Sequence, residues 1–380
     1  MTLKETTKHS KGKANSRGEV YEPSKRNRYY FIDLIKIVSI FIIFVTHYLM
    51  DIGLLHNMFD VNKMYSFIDR PNIHLGMLAC SLFIICSGFG LSVYSEKKYN
   101  GNINHTNILS FYKNRLSRVL IPFYISYLVY FIISAINHRT IFMFGGLPKW
   151  KIIYTIFGID EYVSANGIKT FSLGVGEWYL GCLILCYLAF PLIYNLSKKM
   201  QKITFCLMTI YFLITPLFIN NFFIVPHMNF LIQIYNFYLG ILLYNSGILN
   251  NKNRLLFVLS IVLILFIYIY PTKINIYYIF ICSFCSICCF ILYSFFEKYL
   301  LDSNGFKFFI TIFNKYSYEF FLCHHFVIYQ VNYLLKYRLL SKFEFVYLFL
   351  IDFIITMLFA FSINLIAKKI FSLKLFNNKK

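Results

Sequence analysis

An aspartate, a lysine and a histidine sit in a stretch apolar enough to cross a bilayer: Asp33-Leu34-Ile35-Lys36, then His47 eleven residues past the lysine. Ionisable side chains at such depth are costly and usually have a partner or a task. In a helix turning about 100° per residue, Lys36 and His47 lie roughly 20° apart and Asp33 roughly 40° from His47, so the three share one face. Lys36 falls in the first part of the span, and His47 lies about 16 Å further along at about 1.5 Å per residue. A cation at one end can hold an anionic donor, and a neutral histidine in apolar surroundings can take a proton from a hydroxyl. The competing reading makes Asp33 and Lys36 a buried i,i+3 pair and His47 a polar tip at the interface.

Four other segments carry polar groups of the same kind. Phe111-Tyr112-Lys113-Asn114-Arg115-Leu116-Ser117-Arg118 precedes Pro122 and offers three cations that flank a span or grip phosphate. Cys86-Ser87-Gly88-Phe89-Gly90 places small residues where helix backbones can approach closely. Gly176-Glu177-Trp178-Tyr179-Leu180 adds a carboxylate to aromatics of interfacial type. Lys315 through Glu319, then His324-His325, reads as an i,i+4 ion pair followed by two histidines about 100° apart, of which at most one is expected to face a given site.

The elements that must hold these residues follow from composition. With 58% hydrophobic and 14% charged residues and a mean hydropathy of +0.61, the 380-residue chain reads as an integral membrane protein. Span-length apolar stretches fall at about 29–50, 74–95, 119–136, 177–196, 203–220, 222–245, 255–271, 274–296, 308–333 and 344–367. The expected fold is all-α, a polytopic membrane bundle of about ten transmembrane helices over 29–368, between basic tails at 1–28 and 369–380.

The net charge of +21 is distributed as topology and not as a nucleic-acid surface, since most of the 37 Lys and Arg fall in the tails and alternate loops. The positive-inside rule then puts both termini in the cytoplasm and the loops at 51–73 and 137–172 outside. The first span is too long for a signal-peptide core and is expected to stay as an anchor. All ten cysteines lie within expected spans, and Cys282, Cys285, Cys288 and Cys289 read as packing residues.

Taken in order, these segments resemble acyltransferase family 3, the multi-span membrane O-acyltransferases of cell-surface carbohydrates. Asp33-x-x-Lys36 through His47 resembles the first-helix pattern. Cys86-Ser87-Gly88-Phe89 is similar to the second-helix Ser-Gly-Phe signature, and Lys113 to Pro122 to the basic segment that ends in Ile/Leu-Pro. Trp178-Tyr179-Leu180 and Tyr318-Glu319-Phe320-Phe321-Leu322-Cys323-His324 resemble the later elements. The departures are Lys36 and Lys113 where arginine is commoner, and Cys86 before the serine.

The resemblance implies transfer of an acyl group, most simply acetyl, from acyl-CoA at the cytoplasmic face to a hydroxyl of a surface glycan or lipid-linked sugar, across the cell's plasma or inner membrane. It implies His47 as catalytic base supported by Asp33 and Lys36, and Lys36, Lys113, Arg115 and Arg118 as acyl-CoA-binding residues. Outward placement makes Glu177, Trp178, Glu319 and His324 the acceptor-side candidates. No metal and no tightly bound cofactor is expected, and no nucleic acid. The alternative from the residues alone is a transporter of glycan intermediates without covalent chemistry, which ten spans and interior charges would also fit.

Overall fold

The computed structural model describes residues 28–54, 66, 68–70, 73–140, 144–165, 167–219, 228–250, 254–269, 277–335 and 340–373. Ten long helices account for most of them: α1 (Tyr30–Tyr48), α2 (Leu75–Tyr99), α3 (Ile108–His138), α6 (Glu177–Lys199), α7 (Gln201–Ile219), α8 (Phe230–Ser246), α9 (Arg254–Ile269), α10 (Tyr277–Asp302), α11 (Asn304–Leu335) and α12 (Lys342–Ser372). Two short helices, α4 (Ile152–Ile156) and α5 (Asp160–Ser164), lie in the segment between α3 and α6. A two-residue antiparallel pair, β1 (Asp69–Arg70) with β2 (Ile73–His74), leads into α2. The chain is a polytopic all-α membrane protein.

Each expected span corresponds to one long helix, with three differences. The helix α3 begins at Ile108, well before the expected start at 119, because the basic segment Lys113–Arg118 is itself helical and continuous with the apolar run. Pro122 lies inside α3 and does not end it. The helix α8 begins at Phe230, capped by the Asn229 side chain, while the expected start at 222 lies outside the described residues. Seven helices are long and apolar enough to cross a membrane by themselves. The other three are α8 and α9, short at 17 and 16 residues, and α11, whose polar residues lower its hydropathy over 32 residues. Most of the expected outer loop at 51–73 and both extreme tails lie outside the described residues.

Burial separates a central group of helices from a lipid-facing rim. In α2, 72% of the apolar window is buried, against 17% in α7 and 22% in α12. The helix α1 packs against α2, α10 and α11. Aromatic side chains fill the interior, and buried tyrosine hydroxyls donate across helices: Tyr48 to the Phe345 carbonyl (2.5 Å), Tyr130 to that of Leu322 (2.8 Å) and Tyr318 to that of Val119 (2.9 Å). Such bonds satisfy hydroxyls that have no water to turn to.

The closest approach is between α2 and α8, at two glycines. A Cβ on Gly88 would stand 2.1 Å from the Phe237 carbonyl oxygen, and one on Gly240 2.1 Å from that of Ile85. Backbone meets backbone there, as the small residues of the Ser-Gly-Phe segment lead one to expect. Gly88→Ala or Gly240→Ala should therefore destabilise the purified protein by about 1–3 kcal/mol through overpacking. Gly90→Ala, with open space around it, should be silent. Thermal unfolding in one detergent checks all three; equal midpoints would remove the crossing as a constraint.

Candidate active site

Asp33 faces α11 and accepts from the Asn314 amide at 2.7 Å, while Arg28, just before α1, reaches back to it at 2.5 Å. The expected Asp33–Lys36 pair is thus replaced. Arg28 can bring a planar guanidinium to the helix start, leaving Lys36 to extend elsewhere.

Lys36 lines a cavity of about 700 Å³ with Lys113 and Arg118 of α3, Lys315 of α11 and Lys368 of α12. Ser87, Tyr187, Asn314 and Glu319 add polar groups to its wall. Of the four expected donor-side cations, three meet here. Arg115 does not line the cavity: its guanidinium lies 3.4 Å from the centre of the Tyr94 ring. Glu319 is also here and not beside Glu177, and it accepts from the Asn364 amide of α12 at 2.7 Å. The expected Lys315–Glu319 pair does not form. Glu319 is buried toward α12, whereas Lys315 is exposed with its ammonium 4.9 Å from the Tyr316 ring centre.

Further along α1, His47 meets a second cluster. Its Nε2 lies 3.3 Å from Glu177 Oε1, and the same oxygen is 3.4 Å from His324 Nε2. The His47 ring centre is 5.2 Å from that of His324 and 4.8 Å from that of His325. Both adjacent histidines therefore flank one site, against the expectation of one: His47 fits between the two directions that they take. His325 Nε2 is 3.2 Å from Asp51 Oδ2, and Asp51 lies on a π-helical turn (Leu49–Leu54) that continues α1. The wider turn is of a type frequent at functional sites. Asp51 did not stand out in the sequence, although it follows His47 by four residues, and of the two adjacent histidines only His324 was taken as a site candidate.

Glu177 opens α6 with φ 48°, directly after Gly176 at φ 73°. A non-glycine residue in that region costs about 1–3 kcal/mol, a strain that clusters at functional sites. Trp178 is turned into the core, 5.9 Å from the Tyr179 ring, and does not line the two clefts described below.

Protons on the cluster can be assigned by elimination. His324 Nδ1 is 2.7 Å from the Phe321 carbonyl oxygen, which only accepts, so Nδ1 carries a hydrogen. A neutral His324 would then turn a lone pair on Nε2 toward the Glu177 oxygen that also faces His47. The same donor set, His47, Glu177 and His324 with ligating atoms within 4.8 Å of one another, has the spacing of a metal site, as has His47, Asp51 and His325.

One aromatic layer links the two regions. Phe83 lines the cationic cavity and touches Tyr179 edge-on at 5.8 Å; Tyr179 meets Phe321 at 5.1 Å, and Phe321 meets His324 at 5.6 Å. On the other side of the cluster lie two clefts of about 640 and 520 Å³ that share Phe144. The first holds Asn137, Gln330, Tyr329 and Tyr333; the second holds Glu161, Lys169, Ser172 and Gly174. A Cβ on Gly174 would lie 4.0 Å from His325 Nδ1, so the second cleft reaches the cluster.

Burial pushes the Asp160 carboxyl of α5 up to about 6 and that of Glu161 up to about 7. Their ordinary values are 3.8 and 4.5, so between these and the raised values the unfolded chain ionises first and binds fewer protons. Stability should therefore fall as pH rises from about 4 to about 7 and level off above. Glu161→Gln should flatten the upper part of that fall in thermal midpoints measured across this range; an unchanged slope would place the proton elsewhere.

No curated protein and no solved structure matches the chain. A family model described as an acyltransferase domain matches residues 29–365, a range that contains most of the lining of the cationic cavity, the His47–Glu177–His324 cluster and most of the described helices. The chain belongs to acyltransferase family 3 and is a membrane acyltransferase.

Proposed function

We propose that this protein moves an acyl group, in the simplest case acetyl, from acyl-CoA to a sugar hydroxyl on a surface or lipid-linked glycan, with the donor entering from the cytoplasm and the acceptor from outside the cell membrane. The observation that carries the reading is the pairing on one helix of a cation-lined cavity with an imidazole–carboxylate cluster about 16 Å further on. Anionic nucleotide and neutral hydroxyl need opposite surroundings, and the two ends of α1 supply them.

In this mechanism Lys36, Lys113 and Arg118 hold the donor phosphates, and the thioester reaches past the layer of Phe83, Tyr179 and Phe321. His47 donates from Nε2 to Glu177, which leaves Nδ1 as the base. The acceptor oxygen attacks the thioester carbonyl as Nδ1 takes its proton. The C–S bond then breaks, the thiolate leaves as CoA and recovers a proton from His47, and an ester remains. Glu177, shared with His324, orients the imidazole and stabilises its cationic form, much as a triad carboxylate does. The aromatic and amide groups of the outer clefts, Tyr329, Tyr333, Asn137 and Gln330, suit the apolar faces and hydroxyls of a sugar.

His47→Ala should lower turnover by about 10²- to 10⁴-fold while donor binding persists. The assay follows label from acyl-labelled acetyl-CoA into acceptor or water with reconstituted protein; full turnover in the variant would remove His47 from the chemistry. Arg118→Ala should raise the donor KM, whereas Arg115→Ala, on Tyr94, should leave it nearly unchanged. Because the cluster also has metal-site spacing, chelators provide a further arm. Activity that survives them favours proton transfer by His47, and activity restored only by a divalent ion would make the same residues metal ligands.

A further inference from the structure

Lys315 and Lys368 line the cationic cavity from neighbouring helices, and neither was among the donor-side cations expected from the sequence. Asn364 fixes their placement. Its amide donates to Glu319 at 2.7 Å and contacts the Lys315 carbonyl at 3.5 Å, which locks α12 against α11 one turn before Lys368. Lys368 follows Asn364 by one turn, so the two lysines line the cavity from adjacent stretches of α11 and α12.

Two ammonium groups side by side repel, and among the described residues neither has an ion-pair partner. Lysine and arginine ion pairs there include Arg28–Asp33 and Lys198–Glu96. Glu319 lines the same cavity and accepts from Asn364, but it forms no ion pair with either lysine and cannot balance both. Such a pair is relieved by an anion that carries close to two charges on one centre. A phosphate monoester has about −1.5 to −2 at pH 7 and three acceptor oxygens, whereas each phosphate of a diphosphate diester carries one charge. Lys36, set deeper on α1, and Lys113 and Arg118 on α3 remain for the singly charged groups.

Resting on the acyl-CoA reading above, we infer that Lys315 and Lys368 form a subsite for a phosphate monoester, the 3′-phosphate of the CoA donor, and so select CoA thioesters over donors that lack it. The same chemistry is offered by the headgroup of phosphatidic acid, so the test separates the two sources.

Full-length protein in phosphatidylcholine nanodiscs would be titrated with CoA and with 3′-dephospho-CoA. The expected result is preference for CoA by about tenfold or more, the size of a charge-assisted contact. In Lys315→Gln/Lys368→Gln the preference should collapse toward one with dephospho-CoA affinity retained, and Lys315→Arg/Lys368→Arg should keep it. Retained dephospho-CoA binding also reports that the variant is folded. Equal binding of both ligands by the unmodified protein, or a preference unchanged in the glutamine variant, overturns the subsite. If phosphatidic acid in the nanodisc competes with CoA and the glutamine variant abolishes that competition without altering the CoA preference, the occupant is lipid and the inference is wrong. Binding of neither nucleotide would instead overturn the acyl-CoA reading itself, and the subsite with it.

Discussion

A carboxylate mostly withdrawn from water keeps its place only where donors surround it, and Glu177 meets imidazole nitrogens from two different helices at 3.3 and 3.4 Å. That requirement ties α6 to both α1 and α11 at one depth. Removing one partner of a buried charged pair costs about 3–5 kcal/mol, because the remaining group is left without compensation. The left-handed backbone at Gly176 and Glu177 is tolerable in that light. A strained helix start is small beside the loss of the contacts that it makes possible, and it delivers the carboxylate to a point between two rings.

The opposite end of α1 is built on a different balance. Five cations line the cavity with one carboxylate, and that carboxylate is held by an amide. Asp33, the other acid nearby, is taken by Arg28 and Asn314. With Asp33 paired to Arg28, the one carboxylate in the cavity wall is outnumbered by five cations, which leaves positive charge for something that arrives. An aromatic layer one or two side chains thick stands between this charge and the histidines, so the cations act on the cluster through low-polarity material and not through water.

How much of this could be read from residues depended on whether the partners share a helix. Lys36 and His47 were legible as one face of α1 because helical period alone relates them, and the small residues around Gly88 marked a close crossing. Glu177 stood out as a carboxylate among interfacial aromatics, but nothing in its own segment says that it lies between His47 and His324. Spacing also misled. Asp33 with Lys36, and Lys315 with Glu319, have the separations of ion pairs, yet in each case an amide from a neighbouring helix, Asn314 or Asn364, takes the acid. Arg115 was indistinguishable from Arg118 by position, and helical phase turned it onto Tyr94. His325 was set aside by a two-direction argument that holds for a flat partner and fails for a ring lodged between both directions.

The contacts along α1 and α11 also settle a matter of parity. Asp33 meets Asn314, His47 meets His324, and the Asp51 carbonyl accepts from Asn332 at 3.3 Å, so positions rise together along both helices and the two run parallel. Parallel helices of one chain need an odd number of membrane crossings between them. The helices α2, α3, α6, α7 and α10 each contain a segment that can cross alone, which is already odd, so the short helices α8 and α9 must cross together or not at all. The helix α8 is buried over most of its length and presses Gly240 onto the backbone of α2. A helix so placed is inside the bundle and crosses with it. Its crossing requires that of α9, whose 16 residues are apolar though short.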